Sequence, residues 1–137
     1  MGTQRRSRKL ILALSLIVSY STWSIPVLAE SRYELMNKAY QAYVSKDYPK
    51  AISYYKQILA LDSKDPEVYY NLGVAYYFNQ QFDESIQAYR KALELKPDYF
   101  DAYNNLGVVY MEKKQWDAAI ESYQKVLQHN SADVDVY

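Results

Sequence analysis

Apolar residues recur through residues 66–99 at spacings of three and four. Tyr69, Leu72, Ala75 and Tyr76 share one face of a first helix. Asp65-Pro66 opens that helix: the Asp caps free amides, and the Pro fits the first turn. Asn79-Gln80-Gln81 interrupts the rhythm and predicts a turn. A second amphipathic helix follows from Phe82 to Leu95, with Phe82, Ile86, Tyr89 and Leu93 on one stripe. Pro97 closes it, because Pro cannot continue a helix. The segment is therefore two antiparallel helices.

The same pattern returns after 34 residues. Tyr69-Tyr70-Asn71-Leu72-Gly73 comes back as Tyr103-Asn104-Asn105-Leu106-Gly107, and Ile86-Gln87-Ala88-Tyr89 as Ile120-Glu121-Ser122-Tyr123. A fixed period of this length predicts an all-α solenoid of stacked helix pairs, not one closed core. Three units result: 32–65, 66–99 and 100–133. Gly73 sits mid-helix, where Gly costs about 1 kcal/mol relative to Ala. Gly107 and Ala39 hold the same place in the other units, so a close approach of the two helices is expected there. Ala51 and Ala92 are small on the second helix for a similar reason, and Tyr76, Tyr89, Tyr110 and Tyr123 are expected to fill the space between units.

These residues resemble the tetratricopeptide repeat. Unit 66–99 carries Tyr69, Leu72-Gly73, Tyr76, Ser85, Tyr89, Ala92 and Pro97 at the family's intervals. Unit 100–133 carries Tyr103, Leu106-Gly107, Tyr110, Ala119, Tyr123, Val126 and Ser131, losing Ala and Pro late. Unit 32–65 matches more weakly through Leu35, Ala39, Ala42, Ala51, Tyr55 and Ile58. The resemblance implies a protein-binding scaffold and does not name a partner.

In such a stack the first helix of each unit lines a concave surface. One stripe of it is Tyr33, Met36, Tyr40 and Tyr43; the next is Glu67, Tyr70, Val74 and Tyr77, with Phe78 beside it; the third is Asp101, Asn104, Val108 and Met111, with Glu112 beside it. Tyr and Met suit adaptable binding surfaces, so the stripes predict a groove for an extended peptide or an amphipathic helix. Tyr40, Tyr70, Tyr77 and Phe78 are the expected anchors. The alternative is that these rings pack on neighbouring first helices or under further repeats; with 17 tyrosines in the chain, the presence of Tyr alone marks no surface. Some family members clamp a C-terminal carboxylate with Lys, Arg and Asn. Here Met36, Tyr40, Asp101 and Asn105 stand at the cationic places, which argues against that ligand. Asn71 and Asn105 are expected to serve packing within the repeat.

The first 29 residues read differently. Arg5, Arg6, Arg8 and Lys9 precede the apolar run Leu10–Val18, and Val27-Leu28-Ala29 offers a small-residue cleavage site. A secretory signal peptide is expected, so residues 30–137 would be exported to a periplasm, a lumen or the exterior. An uncleaved anchor over residues 10–29 is the rival, being about long enough to span a bilayer. Both place the repeats on the same side. At the other end, Val134-Asp135-Val136-Tyr137 falls where a fourth unit would begin, as in a truncated array. That leaves two alternatives open: self-association through an uncapped last unit, or a repeat region accessory to a longer protein.

Charge and chemistry narrow the function. Of 16 basic residues four lie in the leader, leaving 12 against 16 acidic, a net of −4. No basic stripe tracks a phosphate backbone, so no nucleic acid is expected. There is no cysteine, and His129 is the single histidine, so neither a thiol nucleophile nor a common zinc site is available. The three glycines, Gly2, Gly73 and Gly107, form no phosphate loop. Asp83-Glu84 opens a helix, where acidic residues favour the dipole. No catalytic residue, cofactor or metal is expected.

Overall fold

The computed structural model describes residues 31–134, with side chains through residue 128. The expected leader at residues 1–29 and the last residues, 135–137, lie outside the described part. Six α-helices follow one another: α1 (Arg32–Val44), α2 (Tyr48–Leu61), α3 (Pro66–Phe78), α4 (Phe82–Leu95), α5 (Phe100–Glu112) and α6 (Trp116–Val134). No strand occurs among the described residues. Each helix packs on the next, and α3 also touches α5, so the first helices of units two and three lie side by side. The all-α solenoid expected from the period is the observed fold.

Local chemistry sets the helix ends. The Asp65 side chain accepts hydrogen bonds from the Glu67 and Val68 amides, and Pro66 takes the first turn of α3. Asp47 caps α2 in the same way, accepting from the Lys50 amide. The three turns inside the units share a device that spacing does not reveal. Lys46, Gln80 and Lys114 adopt left-handed backbone, with φ of 62°, 61° and 58°. Each lets the next amide reach back: Asp47 to the Ala42 carbonyl, Gln81 to Tyr76 and Gln115 to Tyr110. Such closures satisfy the orphan carbonyls of a helix end and are usually made by Gly. Gln80→Gly should therefore stabilise the fold by about 0.5–1 kcal/mol, after the larger backbone entropy of Gly is deducted. A rise in the urea midpoint would register it, and an unchanged or lower midpoint would contradict it.

Burial falls into two clusters. The first joins Leu35 and Ala39 of α1, Ile52, Tyr55 and Ile58 of α2, and Val68, Leu72 and Ala75 of α3. The second joins Ile86 and Tyr89 of α4 to Ala102, Leu106, Val109 and Tyr110 of α5. The second helices α2 and α4 are thus each held between their own partner and the first helix of the next unit. A buried side chain of this size stabilises by about 1.5–3 kcal/mol before entropy is counted. The mid-helix glycines have a definite reason. A Cβ on Gly73 would stand 2.7 Å from Tyr89 Cε1, and one on Gly107 would stand 2.7 Å from Tyr123 Cε1. Tyr89 and Tyr123 therefore press on the first helix of their own unit, and Tyr89 joins the inter-unit cluster as well. Ser85, fully buried, donates to the Gly73 carbonyl at 2.8 Å and ties the pair at the same level.

Polar contacts tie successive helices of the stack. Arg32 of α1 pairs with Asp65, the cap of α3, and Lys113 pairs with Asp83 across units two and three. The Arg90 guanidinium donates to the Tyr110 hydroxyl at 2.8 Å. The third unit differs from the first two. The second helices of units one and two stop at Leu61 and Leu95, whereas α6 runs on to Val134. The sequence has Ser131 where the preceding unit has Pro97, so nothing forbids continuation.

Candidate binding surface

Glu67, Asn71, Val74 and Phe78 stand four, three and four residues apart, so one face of α3 carries them all. Two concavities open along that face. The larger, of about 400 Å³, is lined by Tyr33, Met36, Asn37 and Tyr40 of α1, Tyr55 of α2, and Glu67 and Asn71 of α3. The smaller, of about 110 Å³, is lined by Val74, Tyr77 and Phe78 of α3, Tyr89 of α4, and Asn105 and Val108 of α5.

The expected groove residues divide by environment. Tyr33 and Tyr40 are the open rings, 80% and 57% exposed, and both line the larger concavity. Met36 and Tyr43 are half-buried against the first core cluster. Tyr70, Val74 and Tyr77 are half-buried against the second. Phe78 and Met111 are exposed, as is Asn104, while Val108 reaches the smaller cleft. Tyr70 serves as much for packing as for lining. Its ring stacks on Tyr99 at 4.9 Å, and its hydroxyl accepts from the Asn105 amide at 3.0 Å. Asn105, expected to pack within its own repeat, instead ties its unit to the preceding one through Tyr70. Asn71 lines the larger concavity and Asn105 the smaller.

An aromatic chain borders the surface. Tyr43 meets Tyr48 and Phe78, Tyr48 stacks on Phe78 at 5.5 Å, and Tyr77 touches Phe78 and Phe82. Tyr48, Tyr55, Tyr89 and Asn37 escaped the sequence reading as lining or border residues. The first three sit on second helices, and the stripe rule scanned only first helices.

The electrostatics are acidic. The stripe carries Glu67, Asp101 and Glu112 and no Lys or Arg. Burial pushes the Tyr77 hydroxyl up, and the charge and hydrogen bond of Glu112 add to it. Burial also pushes Tyr70 up, opposed by its bond from Asn105 and aided by Asp101. These phenols stay neutral donors at physiological pH. Among the described residues no three His, Asp or Glu side chains converge as a metal site requires, and no helix is long and apolar enough to cross a membrane.

A row of helix pairs with an open inner face defines a helical-repeat scaffold. The family profile of the TPR repeat matches residues 40–80 and 76–114, and that of the tetratricopeptide repeat matches residues 100–133. The chain belongs to the tetratricopeptide-repeat family. It is similar in fold to crystalline MamA, with a TM-score of 0.73, 24% identity, and coverage of 78% of this chain and 63% of that one. A yeast Sti1 TPR2B domain in complex with pHsp70 superposes with a TM-score of 0.68 at 22% identity, covering 77% of this chain and 82% of that one. The second TPR of Spaghetti (RPAP3), bound to the HSP90 peptide SRMEEVD, gives 0.68 at 19%, covering 73% and 93%. The chain spans 63% and 60% of the length of the two first MamA chains it matches. No curated protein sequence matches it.

Proposed function

We propose that the chain is a non-catalytic scaffold that binds a segment of another protein on its inner face, outside the cytoplasm. One observation carries the reading. Tyr33 and Tyr40 hold two large exposed rings over a concavity of about 400 Å³, with Met36 and Tyr55 beneath and Glu67 and Asn71 at its edge. Aromatic rings over an apolar floor with a few polar groups at the margin are the usual make-up of a binding hot spot. The Sti1 and RPAP3 domains bind Hsp70 and HSP90 peptides on the same fold. The present stripe has no cation where an acidic tail such as SRMEEVD would need one, and it carries Glu67, Asp101 and Glu112, so its ligand is an apolar segment with neutral or basic flanks. Export follows from the basic head and apolar run of the first 29 residues.

The test is selection from a displayed random peptide library with the chain as bait. Enriched peptides should carry aromatic or aliphatic anchors with basic flanks. Tyr33→Ala with Tyr40→Ala should weaken their binding at least about tenfold while helicity is unchanged. Absence of any selected peptide, or binding indifferent to that pair, would refute the groove. For location, an alkaline phosphatase fusion at the C-terminus should be active in a bacterial host; an inactive fusion with intact expression would contradict export.

A further inference from the structure

The grooves on either side of α3 are open at opposite ends. Between α1 and α3 the C-terminal part is closed, because Tyr43 meets Phe78 and Tyr48 stacks on Phe78. The N-terminal part holds the concavity of about 400 Å³, edged by Tyr33 and Tyr40 on one side and Glu67 on the other. Between α3 and α5 the order is reversed. Tyr70 stacks on Tyr99 and is bonded to Asn105, which closes the N-terminal part, and the cleft of about 110 Å³ lies further along, at Val74, Phe78 and Val108. The sequence explains the reversal. One period apart, Met36 stands where Tyr70 does, Asp65 where Tyr99 does, and Glu112 where Phe78 does. The first groove therefore lacks the ring pair that fills the N-terminal part of the second. The second lacks the ring that closes the C-terminal part of the first.

Given the inner face as the binding surface, as proposed above, we infer that its ligand is an extended segment crossing α3 diagonally, with an aromatic side chain in the larger concavity and a Leu-sized side chain four residues away in the smaller. Spacing selects an extended chain over a helix. On α3 the larger concavity is lined by Glu67 and Asn71 and the smaller by Val74, Tyr77 and Phe78, about seven residues on, which is about 10 Å of helix. Sideways the two are separated by the width of one helix, about 8–10 Å. The anchors therefore stand about 13 Å apart. An extended chain covers that distance in about four residues, and its side chains at i and i+4 share a face. A helix needs about nine residues, which leaves the second side chain on its opposite face.

Size and charge set the side chains. The smaller cleft has room for about four water-sized groups, matching the four carbons of a Leu side chain, and Val74, Phe78 and Val108 give it apolar walls. The larger takes a ring beside Tyr33 and Tyr40, in the offset or edge-on contacts that aromatic pairs prefer. Glu67 edges the larger concavity, and Glu112 is bonded to Tyr77 of the smaller, so a basic residue belongs beside each anchor.

The probes are fluorescein-labelled peptides titrated into the full chain by fluorescence anisotropy. Each carries one Phe and one Leu, with Lys outside both and Ser and Thr elsewhere. The two anchors stand two, four or seven residues apart, in both orders; seven is the spacing one face of a helix would use. In one order the four-residue spacing should bind at least about tenfold more tightly than the other two, and replacing its Leu by Ala should remove that advantage. Val108→Phe, with helicity unchanged, should remove the same advantage by filling the smaller cleft. Tyr33→Ala with Tyr40→Ala should weaken every peptide. Equal binding at all spacings, or a preference for seven, overturns the diagonal path and leaves the inner face as the binding surface if binding still depends on Tyr33 and Tyr40. Binding by none of the peptides overturns both.

Discussion

Replacing Tyr89 by Ala is expected to destabilise the fold by about 3–5 kcal/mol, as other large buried aromatics do. A domain of this size has about 5–15 kcal/mol in total, so the variant should be close to unfolding. The reason is position. The Tyr89 ring is 2% exposed, lies under Gly73, sits 5.8 Å from the Tyr70 ring, and belongs to the cluster that joins α4 to α5. Its loss opens a cavity inside one unit and loosens the next. Urea unfolding followed by circular dichroism would measure the cost, and a loss under about 1 kcal/mol would contradict it.

Gly73→Ala probes the same contact from the other side. The added methyl would meet three ring atoms of Tyr89 at 2.7–3.0 Å. Overpacking costs about 1–3 kcal/mol, against about 1 kcal/mol gained in helix propensity. The single variant should therefore lose stability, and in a Tyr89→Leu background the same change should become neutral or favourable. A Gly73→Ala effect that is the same in both backgrounds would dismiss the contact as the cause.

Alkaline pH should unfold the chain cooperatively. Burial, with smaller contributions from Tyr43 and Glu67, pushes the Tyr55 hydroxyl up to about 12. Tyr99 is also raised to about 12, by burial and then the Tyr70 charge. Burial, then Tyr70, carries Tyr89 higher still. The unfolded chain releases these protons near the ordinary value of 10.0, so ionisation favours unfolding. The stabilisation is complete below about pH 10 and is lost as pH climbs toward about 12, by at most about 1.4 kcal/mol per tyrosine per pH unit. Tyr55 and Tyr89 carry most of the loss, while the more exposed Tyr99 adds less. Helix content and phenolate absorbance should change in one shared step. Tyr55→Phe should move that step to higher pH if the variant remains as stable at neutral pH. Helix content unchanged through about pH 12 would sink the account.

The sharpest contrast between sequence and fold lies in the tyrosines. Tyr40 and Tyr70 occupy equivalent stretches of first helices, and periodicity placed both on the same open stripe. In the structure Tyr40 is exposed, whereas Tyr70 stacks on Tyr99 and accepts from Asn105. The difference comes from what lies beside each helix. Tyr70 has α5 as a neighbour, and the residues that meet it lie about 30 positions away. No local spacing encodes that.

By itself the sequence determined the three helix pairs, the bounds of α3 and α4, the Asp65 cap and the small residues at Gly73 and Gly107. Those features depend on interactions within a few residues, or on a period that repeats them. Only the tertiary structure decided that Lys46, Gln80 and Lys114 close the turns in left-handed backbone, since polar residues there leave no composition signal. It also decided which ring fills the space over Gly73 and which tyrosines face solvent. Burial depends on the element packed opposite, and in a solenoid that element belongs to another unit.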